Sequence, residues 1–500
     1  MAALRVNWRV SLRLLGGVLR WLALPLAAPL VLAVIDGDPV GPFLVPIAIT
    51  LIAGFGLERL ETDTEIYTRE AYLIVALSWL CVGLIGAIPF VLAGNGVLAT
   101  PINAVFESMS GITTTGATVI NDFAAHSRAI LLWRQVIQWL GGLGILVLAI
   151  SVLSQLAVGG AQLMETESQT QDVHKLTPRI SETARLIWRL YAGITLLAAG
   201  GLFALGLAGI APNMDAFNAV SHAMTAVATA GFSPQPDSVG AFTPAAQWLI
   251  VPFMIVGATN FILIYFVING DWGRPLRNEE FRFYLGLIVG TAVLMGILLI
   301  VDPDLTTGGI EETARLATFQ VVSLLTTTGF ATVDFNAWSP AAKHLLFSCM
   351  FLGGMAGSTT CSIKLLRWLI ILKSLRRDLF TTIHPEAVRP VRLSGTAIDE
   401  ETIRDVFSYT MLSLMLFFFG TIVVVVDGAR IGLGLSEFEA LSAAAATFFN
   451  IGPAFGIAGP FNSYSPFSDL TKGVMILLMY VGRIEIIPVL VLFTPSFWRS

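Results

Sequence analysis

Apolar runs of transmembrane length recur near residues 15–35, 39–57, 72–94, 129–158, 183–210, 244–270, 281–301, 343–373, 406–426 and 472–494. Each accommodates a tilted helix of about 20 residues, so the pattern predicts ten spans. Four shorter segments, near 101–118, 214–232, 314–331 and 437–455, are apolar or hydroxyl-rich and end in glycine-containing loops. They are too short to cross and predict re-entrant half-helices. At the N-terminus, Arg5, Arg9, Arg13 and Arg20 run into apolar residues from Val18 to Val34. No small-residue cleavage site follows, which predicts a first span rather than a cleaved leader.

The four short segments align with one another on Gly116, Gly231, Gly329 and Gly452, at intervals of 115, 98 and 123 residues. Each has a long apolar helix before it and another after it. This predicts four helix, re-entrant loop, helix units over roughly 70–494, with the first two spans as an addition. The expected division is 1–69, then units at 70–160, 161–272, 273–380 and 381–500. Two residues before each glycine stand Thr114, Thr229, Thr327 and Asn450, and between them Thr115, Ala230, Thr328 and Ile451. One such glycine alone equally suits a helix-packing contact. Four in matching places suit something else: glycine accepts positive φ without a Cβ clash, which lets successive carbonyls point to one side. Four such loops about one axis form a ring of backbone oxygens able to replace the hydration shell of a monovalent cation.

Composition agrees with burial in lipid. The chain has 500 residues, 55% hydrophobic and only 13% charged, against roughly 25% charged in soluble domains. Lys and Arg sort to one side of the predicted spans, and with ten spans the positive-inside bias puts both termini in the cytoplasm. On this topology the outer side carries five basic and 15 acidic residues, a field that concentrates cations there. Cys81, Cys349 and Cys361 have no CxxC spacing, and the five histidines have no ligand spacing, so neither a disulfide framework nor a metal site is supported. The histidines are expected at the surface or at helix ends. No HExxH, GxSxG, P-loop or complete dinucleotide fingerprint is present, which argues against a membrane enzyme and against nucleotide binding by this chain itself. Nothing points to nucleic acid.

The four loops, together with Lys-Leu-Thr-Pro-Arg-Ile-Ser-Glu-Thr-Ala-Arg (175–185), His-Pro-Glu-Ala-Val-Arg-Pro-Val-Arg-Leu (384–393) and Gly-Arg-Ile-Glu-Ile (482–486), resemble the Trk, Ktr and plant HKT cation transporter superfamily, most closely its TrkH-type subunits. The resemblance covers nearly the whole chain. It implies potassium uptake across a bacterial inner membrane through a pseudo-fourfold pore, with K⁺ as the transported ion and no organic cofactor on this chain. It further implies a homodimer in membrane lipid, regulated by a cytosolic nucleotide-binding ring that responds to NAD or ATP. The cytoplasmic loops near 159–182 and 374–404 are the expected docking surfaces. In the resembled superfamily a serine at the first filter glycine accompanies sodium selectivity. Gly116 therefore favours potassium over the alternative, a sodium-permeable or poorly selective transporter of the same fold.

After the third loop come Gly353, Gly354, Gly357, Ser358, Thr359, Thr360, Cys361, Ser362 and Lys364. Glycines followed by hydroxyls make a poor helix interior and predict a broken span. By resemblance this segment is a gate below the filter, although the family usually has more glycines where Thr360, Cys361 and Ser362 stand. A close seam of small residues is the other reading. Lys364 is expected either to pair with an acidic group or to snorkel to the surface. Arg483 is the one basic residue deep in the last span, where a charge faces either a water-filled path or a distant carboxylate; by resemblance it is a barrier under the filter. Glu485 is two residues on, on another helix face, and is not an obvious mate. The scarcity of carboxylates in the spans favours flow down the membrane potential over a proton relay.

Overall fold

The computed structural model describes residues 6–61, 68–151, 180–302 and 308–498. The described residues are mostly helical. Its elements are α1 (Trp8–Asp36), α2 (Gly41–Glu58), α3 (Thr68–Gly86), α4 (Ile88–Ala93), α5 (Pro101–Ile112), α6 (Arg128–Ser151), α7 (Ile180–Leu207), α8 (Ala216–Val227), α9 (Pro244–Gly257) and α10 (Phe261–Ile268). They continue as α11 (Glu279–Val301), α12 (Ile310–Leu325), α13 (Pro340–Cys349), α14 (Leu365–Ile383), α15 (Glu400–Arg430), α16 (Glu437–Phe448), α17 (Asp469–Arg483) and α18 (Ile487–Leu492). One two-residue antiparallel hairpin, Arg392–Leu393 with Thr396–Ala397, interrupts them.

All ten predicted span positions are helical, but they are not ten unbroken spans. Among the described residues six helices are long and apolar enough to cross a membrane, over 8–36, 41–58, 69–93, 183–207, 279–301 and 400–430. The span expected at 129–158 falls on α6, and its residues beyond Ser151 lie outside the described ones. The other three are broken. Residues 244–270 bend by 107° between α9 and α10; 343–373 break between α13 and α14, as expected; and 472–494 break between α17 and α18. Hydropathy windows missed the first and third because the broken pieces are as apolar as a continuous helix.

Local chemistry accounts for the breaks and the short helices. Asn260 caps α10, accepting from Ile262 N at 2.8 Å, so a side chain supports a helix start in the middle of an apolar run. The last break has Glu485 at φ +63° and Ile486 at φ +36°, a conformation that costs a β-branched residue steric energy. Pro488 then begins α18. The short helices start on Pro101 for α5, on the Asp215 cap for α8, on Glu311 and Glu312 for α12, and on a Ser436/Glu439 capping box for α16. These carboxylates and caps complement the positive helix N-termini.

The predicted cytoplasmic loop 374–404 is more ordered in type than a loop. It is helix as far as Ile383, then the hairpin, then the start of α15 at Glu400, capped by Asp399. The Thr402 N–H and hydroxyl hold the Asp399 carboxyl below its ordinary range. Val391, Leu393 and Ile398 pack with Ala356, Leu366 and Ile370 in a small core of their own. The loop expected at 159–182 lies almost entirely outside the described residues.

Candidate functional site: a cycle of four glycine loops

The four short helices end in one backbone pattern. In each, the residue between the polar position and the glycine donates its N–H five residues back: Thr115 to Ser110, Ala230 to Thr225, Thr328 to Ser323 and Ile451 to Ala446, at 2.8 to 3.0 Å. The polar residues themselves are left-handed, with φ of +54° at Thr114, +50° at Thr229, +53° at Thr327 and +54° at Asn450. The glycines follow at +80°, +84°, +79° and +99°. Only the glycine half of this alternation has an obvious sequence signal. The threonines and asparagine adopt a conformation that is uncommon for non-glycine residues, and they do so four times.

The loops close on one another in order. A Cβ on Gly116 would lie 2.3 Å from Ala230 O, on Gly231 2.1 Å from Thr328 O, on Gly329 1.9 Å from Ile451 O, and on Gly452 2.6 Å from Thr115 O. First meets second, second meets third, third meets fourth, and fourth meets first. Each glycine is therefore required twice, by its positive φ and by the neighbouring carbonyl. The C-termini of α5, α8, α12 and α16 end next to this cycle, each contributing roughly half a negative charge. All twelve residues expected at the loops are thus brought together, and all four polar positions are buried.

On one side of the cycle lies a cavity of about 520 Å³ lined by all four glycines and by Thr118, Asn121, Ser233 and Tyr464. At roughly 30 Å³ per water, it has room for about 17 waters. No carboxylate is among its lining residues; the charged one is Arg134. The 15 acidic residues expected outside thus contribute nothing to this wall. One of them, Glu107, is fully buried on α5 and pairs with Arg134 at 2.7 Å. It also accepts from Thr118 Oγ1 and Val119 N, both at 2.9 Å, while Arg134 donates to Ser233 O at 2.9 Å. This pair links the segments that follow the first two loops. Gln138 braces the second, donating to Ala230 O at 2.7 Å and accepting from Phe232 N at 3.0 Å. Tyr464 donates to Gly452 O at 2.8 Å. His222, expected at the surface or a helix end, is wholly buried, bonded to Asn218 O and Ser233 Oγ. His126 is buried too.

On the other side sits the segment 350–364. Thr359 Oγ1 lies 3.0 Å from Thr229 Oγ1, 2.9 Å from Gly257 O and 3.1 Å from Val227 O, with one proton to serve all three. Cys361 N donates to Thr327 Oγ1 at 3.1 Å, and its sulfur is 3.8 Å from Thr114 Oγ1. The break between α9 and α10 receives this segment by backbone pairing: Met355 N to Ala258 O, Thr359 N to Gly257 O, and Phe261 N to Gly357 O. Gly353 and Gly354 permit the fold-back, since Cβ atoms there would lie 2.3 Å from Cys361 O and 2.7 Å from Ala258 O. Ser358 turns back on Met355 O. The segment is a loop under the cycle and not a helix-packing seam.

Arg483 is 2% exposed and has no carboxylate partner among its contacts. It donates to Thr359 O at 2.9 Å, to Cys361 Sγ at 2.7 Å and to Gly141 O at 2.7 Å. It fastens the loop to α6. Glu485 pairs with Arg367 at 2.7 Å, and Lys364, half-buried, bonds Thr360 O and Thr360 Oγ1 rather than a carboxylate. A second glycine set, not singled out in the sequence, supports the cycle from behind. Cβ atoms on Gly141, Gly257 and Gly482 would fall 2.1, 2.6 and 1.9 Å from Ile112 O, Val227 O and Phe448 O. Each opposes the carbonyl two residues before a left-handed residue; these glycines follow their loop glycines by 25, 26 and 30 residues, an offset too variable to single them out in the sequence.

The family model of TrkH, cation transport proteins, matches residues 43–302 and 308–500. The chain belongs to the TrkH family. It is 37% identical to the Trk system potassium uptake protein TrkH of Halomonas elongata over 506 residues, 99% of this chain and 100% of that one. It is 33% identical to the Trk system potassium uptake protein TrkG of Escherichia coli, over 97% of each. The crystal structure of the potassium transporter TrkH from Vibrio parahaemolyticus aligns with a TM-score of 0.87 at 31% identity, covering 99% of this chain and 100% of that one. TrkH proteins transport cations and are not enzymes. With its apolar helices and bacterial relatives, this TrkH-family chain is a multi-pass inner-membrane protein.

Proposed function

We propose that this chain carries potassium into the cell through the glycine cycle, which acts as the selectivity filter, and that the 350–364 loop is its gate. The observation that carries the reading is the head-to-tail closure of Gly116, Gly231, Gly329 and Gly452 on the carbonyls of Ala230, Thr328, Ile451 and Thr115. Repeated left-handed geometry supplies stacked carbonyls for a dehydrated monovalent ion. Four helix C-termini make the site electronegative without a carboxylate, so the ion is held by dipoles and is able to leave. The relatives' names as potassium uptake proteins support K⁺ as that ion.

Gly353, Gly354, Gly357, Ser358, Thr359 and Lys364 form the gate or flank it. Arg483 holds the loop shut and places a positive charge beneath the filter, a barrier to cations in a low-dielectric path. Flow is downhill, driven by a membrane potential worth about 2.3 kcal/mol per charge per 100 mV. The nearby carboxylates support this, since Glu107 is held by Arg134 and Glu485 by Arg367. Both termini are cytoplasmic, two helices precede four pore units, and a homodimer is controlled by a cytosolic nucleotide-binding ring, as the word system in the relatives' names implies partner subunits.

The test is uptake of rubidium and potassium into liposomes containing this chain, alone and with its nucleotide-binding partner, with sodium as competitor. Uptake that follows the imposed voltage and favours potassium and rubidium supports the reading. Equal sodium and potassium uptake would overturn the assigned selectivity.

A further inference from the structure

The three threonines at the inner end of the glycine cycle are engaged by the loop beneath it. Thr229 Oγ1 gives its proton to Ala228 O at 2.8 Å and so accepts from Thr359 Oγ1 at 3.0 Å, Thr327 Oγ1 accepts from Cys361 N at 3.1 Å, and Thr114 Oγ1 lies 3.8 Å from Cys361 Sγ. The fourth position behaves differently. Asn450 donates sideways to Thr115 Oγ1 at 2.8 Å and to Met479 O at 2.9 Å, making no recorded bond to the loop. A hydroxyl has one proton and two lone pairs. A cation at the inner end would draw on those lone pairs, and Thr229 and Thr327 each already give one lone pair to the loop. Arg483 adds to the competition, because its guanidinium bonds the same two loop residues, Thr359 and Cys361.

We propose that Thr359 and Cys361 compete with a permeant monovalent cation for the inner end of the filter, so that gate closure and inner-end occupancy exclude one another. This rests on the filter reading above. Linkage makes the effect reciprocal: a loop that weakens cation binding at the inner end is itself released when a cation binds there. Permeant ions thus favour the open gate, and an empty filter favours the shut one. The coupling is direct, through shared hydroxyls, and needs no distant pathway. The three loop-facing threonines also set which loop atoms matter: Thr359 by its side chain and Cys361 by its backbone N–H.

Cys361 provides its own reporter, being 5% exposed with the loop in place. With Cys81→Ala and Cys349→Ala leaving it as the sole thiol, the rate of its modification by a charged methanethiosulfonate reagent is measured in lipid nanodiscs. Potassium, rubidium and N-methyl-D-glucamine are compared at equal ionic strength. Potassium and rubidium are expected to accelerate labelling by about fivefold or more, the lower end of typical coupling. In Thr359→Val, which leaves every filter residue intact, acceleration is expected at lower potassium. Equal rates in all three cations, or a Thr359→Val potassium dependence identical to the parent's, would overturn the proposal. Liposome uptake of rubidium by the same two-alanine protein separates the two readings: selective uptake with cation-independent labelling rejects the coupling and leaves the filter standing.

Discussion

At Gly329 one added methyl group would stand 1.9 Å from Ile451 O and 2.9 Å from Pro453 Cδ. Neither partner is a flexible side-chain end. Gly329→Ala should therefore cost about 1–3 kcal/mol through overpacking and abolish most rubidium uptake; wild-type melting temperature and uptake together would contradict the assignment. Gly473→Ala is the matched control. Nothing lies within 4 Å of its added Cβ, so its stability should change by less than about 1 kcal/mol, in the direction of greater stability. Gly116→Ser meets Ala230 O at 2.3 Å and is expected to weaken discrimination against sodium, read as a shifted bi-ionic reversal potential. Arg483→Ala releases Thr359 O, Cys361 Sγ and Gly141 O together and should raise rubidium flux in liposomes with equal protein incorporation. Unchanged flux would show that the guanidinium is no barrier.

Elements were legible in the sequence to the extent that composition marks them. The four short helices announce themselves by length, by caps such as Asp215 and Ser436, and by the glycine that ends each. The break at 350–364 announces itself because Gly353, Gly354 and Gly357 precede hydroxyls. The break after Gly257 left only Asn260 as a signal, one polar residue in an apolar run. The break at Glu485 and Ile486 left almost none, since isoleucine is not a residue that predicts left-handed backbone. Charge pairing was hidden for a related reason. Glu107 and Arg134 lie 27 residues apart on α5 and α6, and hydropathy does not encode that these helices bury them against each other. Removing one member of such a buried pair leaves an uncompensated charge and costs about 3–5 kcal/mol. Glu107→Ala should lower the melting temperature in detergent markedly, whereas Glu311→Ala, whose carboxylate is largely exposed beside Arg315, should change it little. Equal effects would mean that the pair is not structural.

At the scale of the whole molecule, two buried arginines flank the glycine cycle: Arg134, paired with Glu107, in the wall of the cavity, and Arg483 on the far side with the 350–364 loop. The rest of the cavity wall presents glycines, apolar groups, hydroxyls and amides, and on the proposed reading the four helix C-termini supply the negative potential. The four glycine loops were readable because four imperfect copies agree where one proves nothing. Their contact order, and the bonding of Thr229 and Thr327 by the 350–364 loop, depend on contacts between residues from 34 to more than 300 positions apart and had no sequence signature. The central claim is that the four glycine loops hold a dehydrated monovalent cation among their carbonyls. Anomalous diffraction from crystals of this protein grown in rubidium tests it most directly. The account predicts rubidium peaks on the axis enclosed by the carbonyls of Thr115, Ala230, Thr328 and Ile451. Rubidium bound elsewhere, with no peak inside that cycle, would contradict it.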